Sequence, residues 1–295
     1  MDIQKLQLFV SLAESLNYQR CAQTHFVSAS TLSRNIQDLE HKLNTTLFDR
    51  DNRRVELTKQ GEQFLLYAKD IIQQWETAKA LMLASAGELS GTLSMYCSVT
   101  ASYSFLFDML SDFRTAHPNI DIKLHTGDPA LALTRVLAGN EDIAIAAKLP
   151  TMPKDIAFKQ FALSELVFIA PADTTLFAIE ADTELTKVFS QVPLIVSEKG
   201  LARERLNNWL NEHQIKPNIY AQVAGNEAIV SMVSLGLGVG LVPKIVIDNS
   251  PLADKVRNYE HQITLQHFEV GLCVLERRLK NPIVSAFWSQ LSSKT

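Results

Sequence analysis

The chain has 295 residues, 46% hydrophobic and 20% charged, enough to bury the cores of two or three domains and too apolar for a disordered tail or a small stapled module. A formal net charge of -4 excludes a protein that coats nucleic acid by bulk attraction, although "FDRDNRRVELTK" still gathers Arg50, Arg53, Arg54 and Lys59 into a local basic segment. No apolar run approaches the roughly 20 residues that span a bilayer, and "MDIQKLQLFV" lacks a basic stretch leading into an apolar core, so no membrane partner and a cytoplasmic location are expected.

The opening segment "MDIQKLQLFVSLAESLNY" spaces Leu6, Phe9, Val10, Ala13 and Leu16 for an amphipathic helix ending near Asn17. "YQRCAQTHFVS" follows as a short helix whose small Cys21 and Ala22 permit a close crossing. Ser28 then caps a third helix, "SASTLSRNIQDLEHKL". On a helical wheel Leu32, Ile36, Leu39 and Leu43 share one face, and Ser30, Ser33, Arg34 and Gln37 the other. Lys and Glu fill an ordinary solvated face better than Ser, so small hydroxyl groups point to a partner that takes close polar contacts. Three short helices of this kind make a helix-turn-helix; a plain three-helix packing unit is the alternative. The base edges of a DNA major groove match such a face: Arg34 suits guanine O6 and N7, and Ser30, Thr31 and Ser33 suit bases or phosphates at close range.

"NTTLFDRDNRRVELTKQG" reads as a two-stranded wing, with Arg53 and Arg54 at its tip suited to a minor groove or to phosphates. From Thr58 to about Ala86 a near-heptad stripe of Phe64, Leu65, Ala68, Ile71, Ile72, Trp75, Ala78 and Met82 predicts one helix about 43 Å long. A helix that long beside a small domain is expected to pair with its copy in another subunit; packing on its own chain is the alternative. "AGELSG", from Ala86 to Gly91, ends it and reads as a hinge.

Beyond the hinge, β-rich runs such as "TLSMYCSV", "IDIKLHTG", "EDIAIAA", "ELVFIAP", "VPLIVSE", "IYAQVAG", "GVGLVP" and "EVGLCVLE" alternate with amphipathic helices, which predicts an α/β domain with mostly parallel sheets. The junction "MYCSVTASYSF" places Ser98, Val99, Thr100 and Ser102 at a helix start, where free N–H groups beside hydroxyls would receive a carboxylate. Thr126 and Gly127 in "HTGD", Lys148, Ser197 and Lys199 in "VSEKG", and Asn226 in "VAGNEAIV" end other strands on the side where α/β folds bind ligands. Singly, these residues read equally well as helix caps or solvated charges. Cys21, Cys97 and Cys273 form no CxxC pair and the histidines form no HxxxH or HExxH, so buried thiols are expected, with no metal and no cofactor.

The N-terminal 60 or so residues resemble the LysR-type transcriptional regulators: "LQLFVSLAES", "SASTLSRNIQDLEHKL", "LFDR" and "VELTKQGEQF" occur in that family's order and spacing, and the length and α/β remainder fit. The resemblance implies an α+α/β fold: a winged helix-turn-helix over 1–58, a linker and dimerisation helix with its hinge over 59–91, and a two-lobed, periplasmic-binding-protein-like effector domain over 92–295. One lobe would take about 92–162 and 265–295, the other about 163–264. The family's base-facing positions fall on Ser30, Thr31, Ser33 and Arg34, flanked by Ser28 and Gln37, and its wing contacts on Arg53 and Arg54. Two departures are Cys21 where the family usually has Ala, and Asn44 where it has Gly; Asn tolerates the left-handed conformation that this turn needs.

The same resemblance implies a double-stranded DNA operator with an inverted repeat, RNA polymerase, and a homodimer assembling to a homotetramer as partners. Within the family, "LSGTLSMYCSVTASYSFL", "HPNIDIKLHTGD", "AGNEAIVSMVSLGLGVGLVP" and "FEVGLCVLERR" are similar to the activators of isoleucine and valine biosynthesis. That narrower likeness implies the acetohydroxy acids 2-acetolactate and 2-aceto-2-hydroxybutyrate as co-inducers and the acetohydroxyacid isomeroreductase gene as target. A LysR-type regulator for another small carboxylate, or a solute-binding protein, are the alternatives. An enzyme is not expected, for there is no GxSxG elbow or P-loop, and "GLGVG" follows a helix and precedes a strand, the reverse of a nucleotide loop.

Overall fold

The structure, a computed structural model, describes residues 2–51, 54–84, 89–175, 189, 191–259 and 265–291. The chain divides into two compact units, Met1–Glu88 with Ala138–Asn140, and Leu89–Leu137 with Glu141–Thr295.

In the first unit, α1 (Ile3–Ser15), α2 (Tyr18–Thr24) and α3 (Ala29–Leu43) pack around Leu6, Phe9, Leu12, Cys21, Ala22, Leu32, Ile36 and Leu39, all buried. Each helix start carries its own capping side chain, Asp2, Asn17 and Ser28 in turn, which satisfies a backbone N–H that the helix leaves unpaired. Asn44 ends α3 in the left-handed conformation (φ 51°), and Thr45 N–H reaches back to the Glu40 carbonyl at 3.1 Å, so the turn that usually uses Gly closes with Asn. The wing is an antiparallel pair, β1 (Phe48–Asp51) with β2 (Arg54–Leu57). Glu40 anchors its base by accepting the N–H groups of Leu47 (2.8 Å) and Phe48 (3.2 Å). Helix α4 (Lys59–Ala84) starts under a Thr58 cap, and any Cβ on Gly61 would strike the Leu47 carbonyl, so glycine lets the helix lie on the wing strand.

The expected continuous seam on α4 divides into two. Phe64, Leu65, Ala68, Ile71 and Ile72 pack on the head's own core, with Phe64 at 5.1 Å from Phe9, whereas Trp75 (49%) and Met82 (74%) are exposed. The reason is the size of the head: three short helices cover one side of Phe9 and need α4 to cover the other. Of the expected hinge at Ala86–Gly91, residues 86–88 lie outside the described residues, and Gly91 already opens the next strand.

The second unit holds two five-stranded sheets, ordered β4-β3-β5-β12-β6 and β11-β7-β10-β8-β9. The first comprises β3 (Gly91–Cys97), β4 (Ile120–Thr126), β5 (Ile143–Ala147), β6 (Ile156–Ser164) and β12 (Phe268–Leu275). Helices α5 (Val99–Ser104) and α6 (Leu106–Ala116) connect β3 to β4, and α7 (Ala132–Leu137) lies between β4 and β5 in the chain. The second sheet comprises β7 (Leu166–Pro171), β8 (Leu194–Ser197), β9 (Ile219–Val223), β10 (Val239–Pro243) and β11 (Val256–Asn258). The expectation of mostly parallel sheets is corrected, because antiparallel pairings match parallel ones in number among the described residues. The cause is the double crossing: β7 and β12 are the first strands after the chain changes sheet. No βαβ crossover delivers them, and both pair antiparallel with their neighbours. All three cysteines are buried and free, and burial pushes the Cys97 and Cys273 thiols up to about 12.

Candidate functional site

The reading face of α3 is built by its start. Ser28 Oγ accepts the Thr31 N–H at 3.0 Å and sits 2.8 Å from both Ser30 Oγ and Thr31 Oγ1, which gathers three hydroxyls into one exposed cluster. Arg34 and Gln37 continue that face in the open, and Ser33 is half-buried. Arg54 is exposed on the wing, while Arg53 lies outside the described residues. Lys5 of α1 donates to Asp38 Oδ2 at 2.8 Å and holds the Asp38 carboxyl below its usual range, which ties the reading helix to α1 on its polar side. Phe26, 96% exposed with φ 53°, precedes the cluster. Periodicity gave no hint of it, because it lies in the turn between two helices.

In the second unit a cleft of about 370 Å³ opens between the two sheets. Of the ten effector residues expected from the sequence, Ser98, Thr100, Ser197, Lys199 and Asn226 line it. Ser98 follows β3 and caps α5, accepting the Ala101 N–H at 3.2 Å. Ser197 closes β8 ahead of α8 (Leu201–Glu212), and Asn226 opens α9 (Asn226–Ser234). The other five lie elsewhere. Val99 is 44% exposed, and Ser102 spends its hydroxyl on the Val99 carbonyl at 2.6 Å. Thr126 is exposed at the end of β4, and Gly127 donates to the Cys97 carbonyl at 3.1 Å. Lys148 is held by Glu269, 2.6 Å away, because β5 and β12 lie side by side and bring the two residues together.

One expectation is corrected at the atomic level. The Thr100 N–H is not free for a ligand: it donates to Glu227 Oε1 at 2.8 Å, and the Thr100 hydroxyl donates to the same oxygen. Glu227 stands on the first turn of α9, and the fold brings that turn to the start of α5. Lys199 also faces a partner, with its Nζ 3.8 Å from Asp128 Oδ2. Asp128 is itself placed by Tyr96, whose hydroxyl donates to the Asp128 carbonyl at 3.0 Å. Sequence reasoning missed Glu227, which bonds to the lining residue Thr100, and, in the lining itself, Ser164 and the apolar Phe105, Leu133, Ile145 and Phe268. Only Glu227 had a local signal, as an acid in a first helical turn next to Asn226. Chemically, the cleft combines an apolar floor with hydroxyl, amide and ammonium donors and with the carboxylates of Asp128, Glu198 and Glu204, the make-up of a small polar ligand's seat.

The family model for the bacterial regulatory helix-turn-helix protein, lysR family, matches residues 3–62, and that for the LysR substrate binding domain matches residues 86–295. The chain is 42% identical over 292 residues to the HTH-type transcriptional activator IlvY of Haemophilus influenzae, covering 99% of this chain and 100% of that one. It is 41% identical over 294 residues to the HTH-type transcriptional regulator IlvY of Escherichia coli, covering 99% of each. Among solved structures, a full-length OxyR variant from Pseudomonas aeruginosa superimposes with a TM-score of 0.70 at 22% identity, covering 99% of this chain and 94% of that one. CbnR complexed with its target DNA does so with a TM-score of 0.66 at 22% identity, covering 100% of each chain. The helix-turn-helix head and the two-sheet domain thus each match a LysR family model, and the chain belongs to the LysR family of bacterial helix-turn-helix transcriptional regulators.

Proposed function

We propose that the protein is a cytoplasmic transcriptional activator of branched-chain amino acid biosynthesis that switches on the acetohydroxyacid isomeroreductase gene when acetohydroxy acids accumulate. The observation that carries this reading is the 41–42% identity to IlvY proteins over practically the whole of both chains, cleft included. In this reading α3 enters the major groove of an inverted repeat, with Arg34 on a guanine and Ser28, Ser30, Thr31, Ser33 and Gln37 on neighbouring bases and phosphates. Arg53 and Arg54 track the backbone beside it.

The exposed half of the α4 stripe, with Trp75 and Met82, supplies the seam for a homodimer, and dimers assemble to a homotetramer. In the cleft, a 2-hydroxy-3-oxo acid brings a carboxylate for the helix start at Ser98 and Thr100, with Lys199 as a second anchor, and oxygen acceptors for Ser197 and Asn226. The ligand changes the spacing or bend between reading heads so that RNA polymerase is engaged. The test is a footprint of the full chain on the DNA upstream of the isomeroreductase gene, with a promoter reporter, each with and without 2-acetolactate. A protected inverted repeat and reporter output that rises with 2-acetolactate are expected. Protection without any response would transfer the co-inducer role to another small carboxylate, and no protection would sink the target assignment.

A further inference from the structure

A carboxylate ties the two sides of the cleft together at Thr100, one of its lining residues. Thr100, 3% exposed and attached to the β3 sheet, gives both its N–H and its hydroxyl to Glu227, which is attached to the β8–β10 sheet. Room for that carboxylate is built in: Gly225 has φ 85°, and a Cβ on it would come within 3.3 Å of Glu227 Oε2. A second feature shows that the cleft's own groups leave something unmet. Ser164 Oγ, on a residue 5% exposed that lines the same cleft at the end of β6, has no hydrogen-bond partner among the described residues. A buried hydroxyl in that condition is costly unless an acceptor arrives.

We propose that Glu227 is an internal competitor of the effector: its carboxylate occupies the Thr100 donors that a ligand carboxylate would take, and it leaves when an anionic ligand is seated. The inference rests on reading the cleft as the effector site. Thr100 has one N–H and one O–H to give, and both now go to one oxygen. Two carboxylates cannot share them in a sheltered cleft, where like charges repel strongly. Exchange of one charge-assisted pair for another is nearly even, so an incoming ligand gains only by what Glu227 cannot supply. An acceptor for Ser164 and a second anchor on Lys199 are such gains, and a ligand with a carboxylate and further oxygens offers both. A bare monocarboxylate offers less. Glu227 thereby sets an affinity threshold as well as a preference, since the apparent affinity is scaled by the fraction of molecules in which the clasp is open.

The experiment uses the full chain and 2-acetolactate as probe, in calorimetric titrations of wild type, Glu227→Gln and Glu227→Ala. Removing the charge is expected to tighten binding about five-fold or more, with Ala at least as tight as Gln. Equal or weaker binding in both variants would overturn the proposal and make Glu227 a ligand contact instead. A ligand-free readout separates this from the identity of the co-inducer. Spin labels on Asp108→Cys and Glu212→Cys, both exposed and on the two sides of the cleft, report the distance across it, since the native cysteines are buried. Without ligand, Glu227→Ala is expected to lengthen or broaden that distance relative to the labelled parent. An unchanged distribution overturns the clasp, even where 2-acetolactate binds neither protein and the co-inducer assignment fails by itself.

Discussion

Ser28 and Ser98 open their helices in the same way. Both have extended backbone (φ -74°, ψ 152° and φ -70°, ψ 160°), and both accept the N–H three residues on, at 3.0 and 3.2 Å. The local sequences are alike too, "SAST" and "SVTAS". What surrounds them differs. The hydroxyls around Ser28 stand exposed and bond to one another, whereas Thr100 beside Ser98 is buried and given wholly to Glu227. The same chemistry is offered outward in the head and spent inward in the cleft. A helix start is therefore a local fact, and its availability to a partner is a tertiary one.

The strongest test of that contrast asks whether the two regions stand or fall separately. Ile36 is fully buried in the head core, and Ile36→Ala is expected to cost about 2 to 5 kcal/mol of the head's stability. Denaturant unfolding followed by circular dichroism would show an early transition, and operator binding would be lost at growth temperature while 2-acetolactate binding persists. Loss of ligand binding along with the head would break the separation.

Next in size is the outward face itself. Arg34→Ala is expected to weaken operator binding by about 1 to 3 kcal/mol and to relax base preference at one position, read by fluorescence anisotropy on operator and randomised duplexes. Equal losses on both duplexes would make Arg34 a phosphate contact. Ser164→Ala is the matching change on the inward side, with the opposite sign. It removes a buried hydroxyl that has no partner among the described residues, so the ligand-free second unit should gain about 1 kcal/mol in denaturant unfolding, while 2-acetolactate binds more weakly. A loss of stability instead would show that the hydroxyl is satisfied.

What could be read from the sequence follows the same division. The capped helices of the head and the wing leave marks at short range: cap residues, apolar spacing, β-branched runs. Strand β6 left none, because "IAFKQFALS" alternates poorly, and Ser164 was hidden with it. Lys148 was misplaced for a related reason. Its strand end is on the expected side, but its partner Glu269 lies 121 residues away, and only the insertion of β12 beside β5 brings the two together. Glu227 was adjacent to a residue already singled out. Nothing local says that a first-turn glutamate reaches across a cleft to a threonine 127 positions earlier.

The smallest effect concerns a contact made in the open. Lys5 donates to Asp38 at 2.8 Å and keeps the Asp38 carboxyl below its usual range. A carboxyl that is a stronger acid in the folded chain than in the unfolded one lends stability that is complete above the ordinary carboxylate value and drains away as pH falls through the lowered one. The contribution should thus be flat around neutral pH and vanish well below about pH 4. Both groups meet solvent, with the Asp38 side chain 52% exposed, so salt screens the pair. Lys5→Met should accordingly lower the head's unfolding midpoint slightly at neutral pH and low salt, and the difference from wild type should shrink in acid and in concentrated salt. Lys5 is only 19% exposed, however, and its methylenes also cover the head. A difference that persists unchanged through acid and salt would assign the contribution to that packing, and α1 would then hold the reading helix through apolar contact alone.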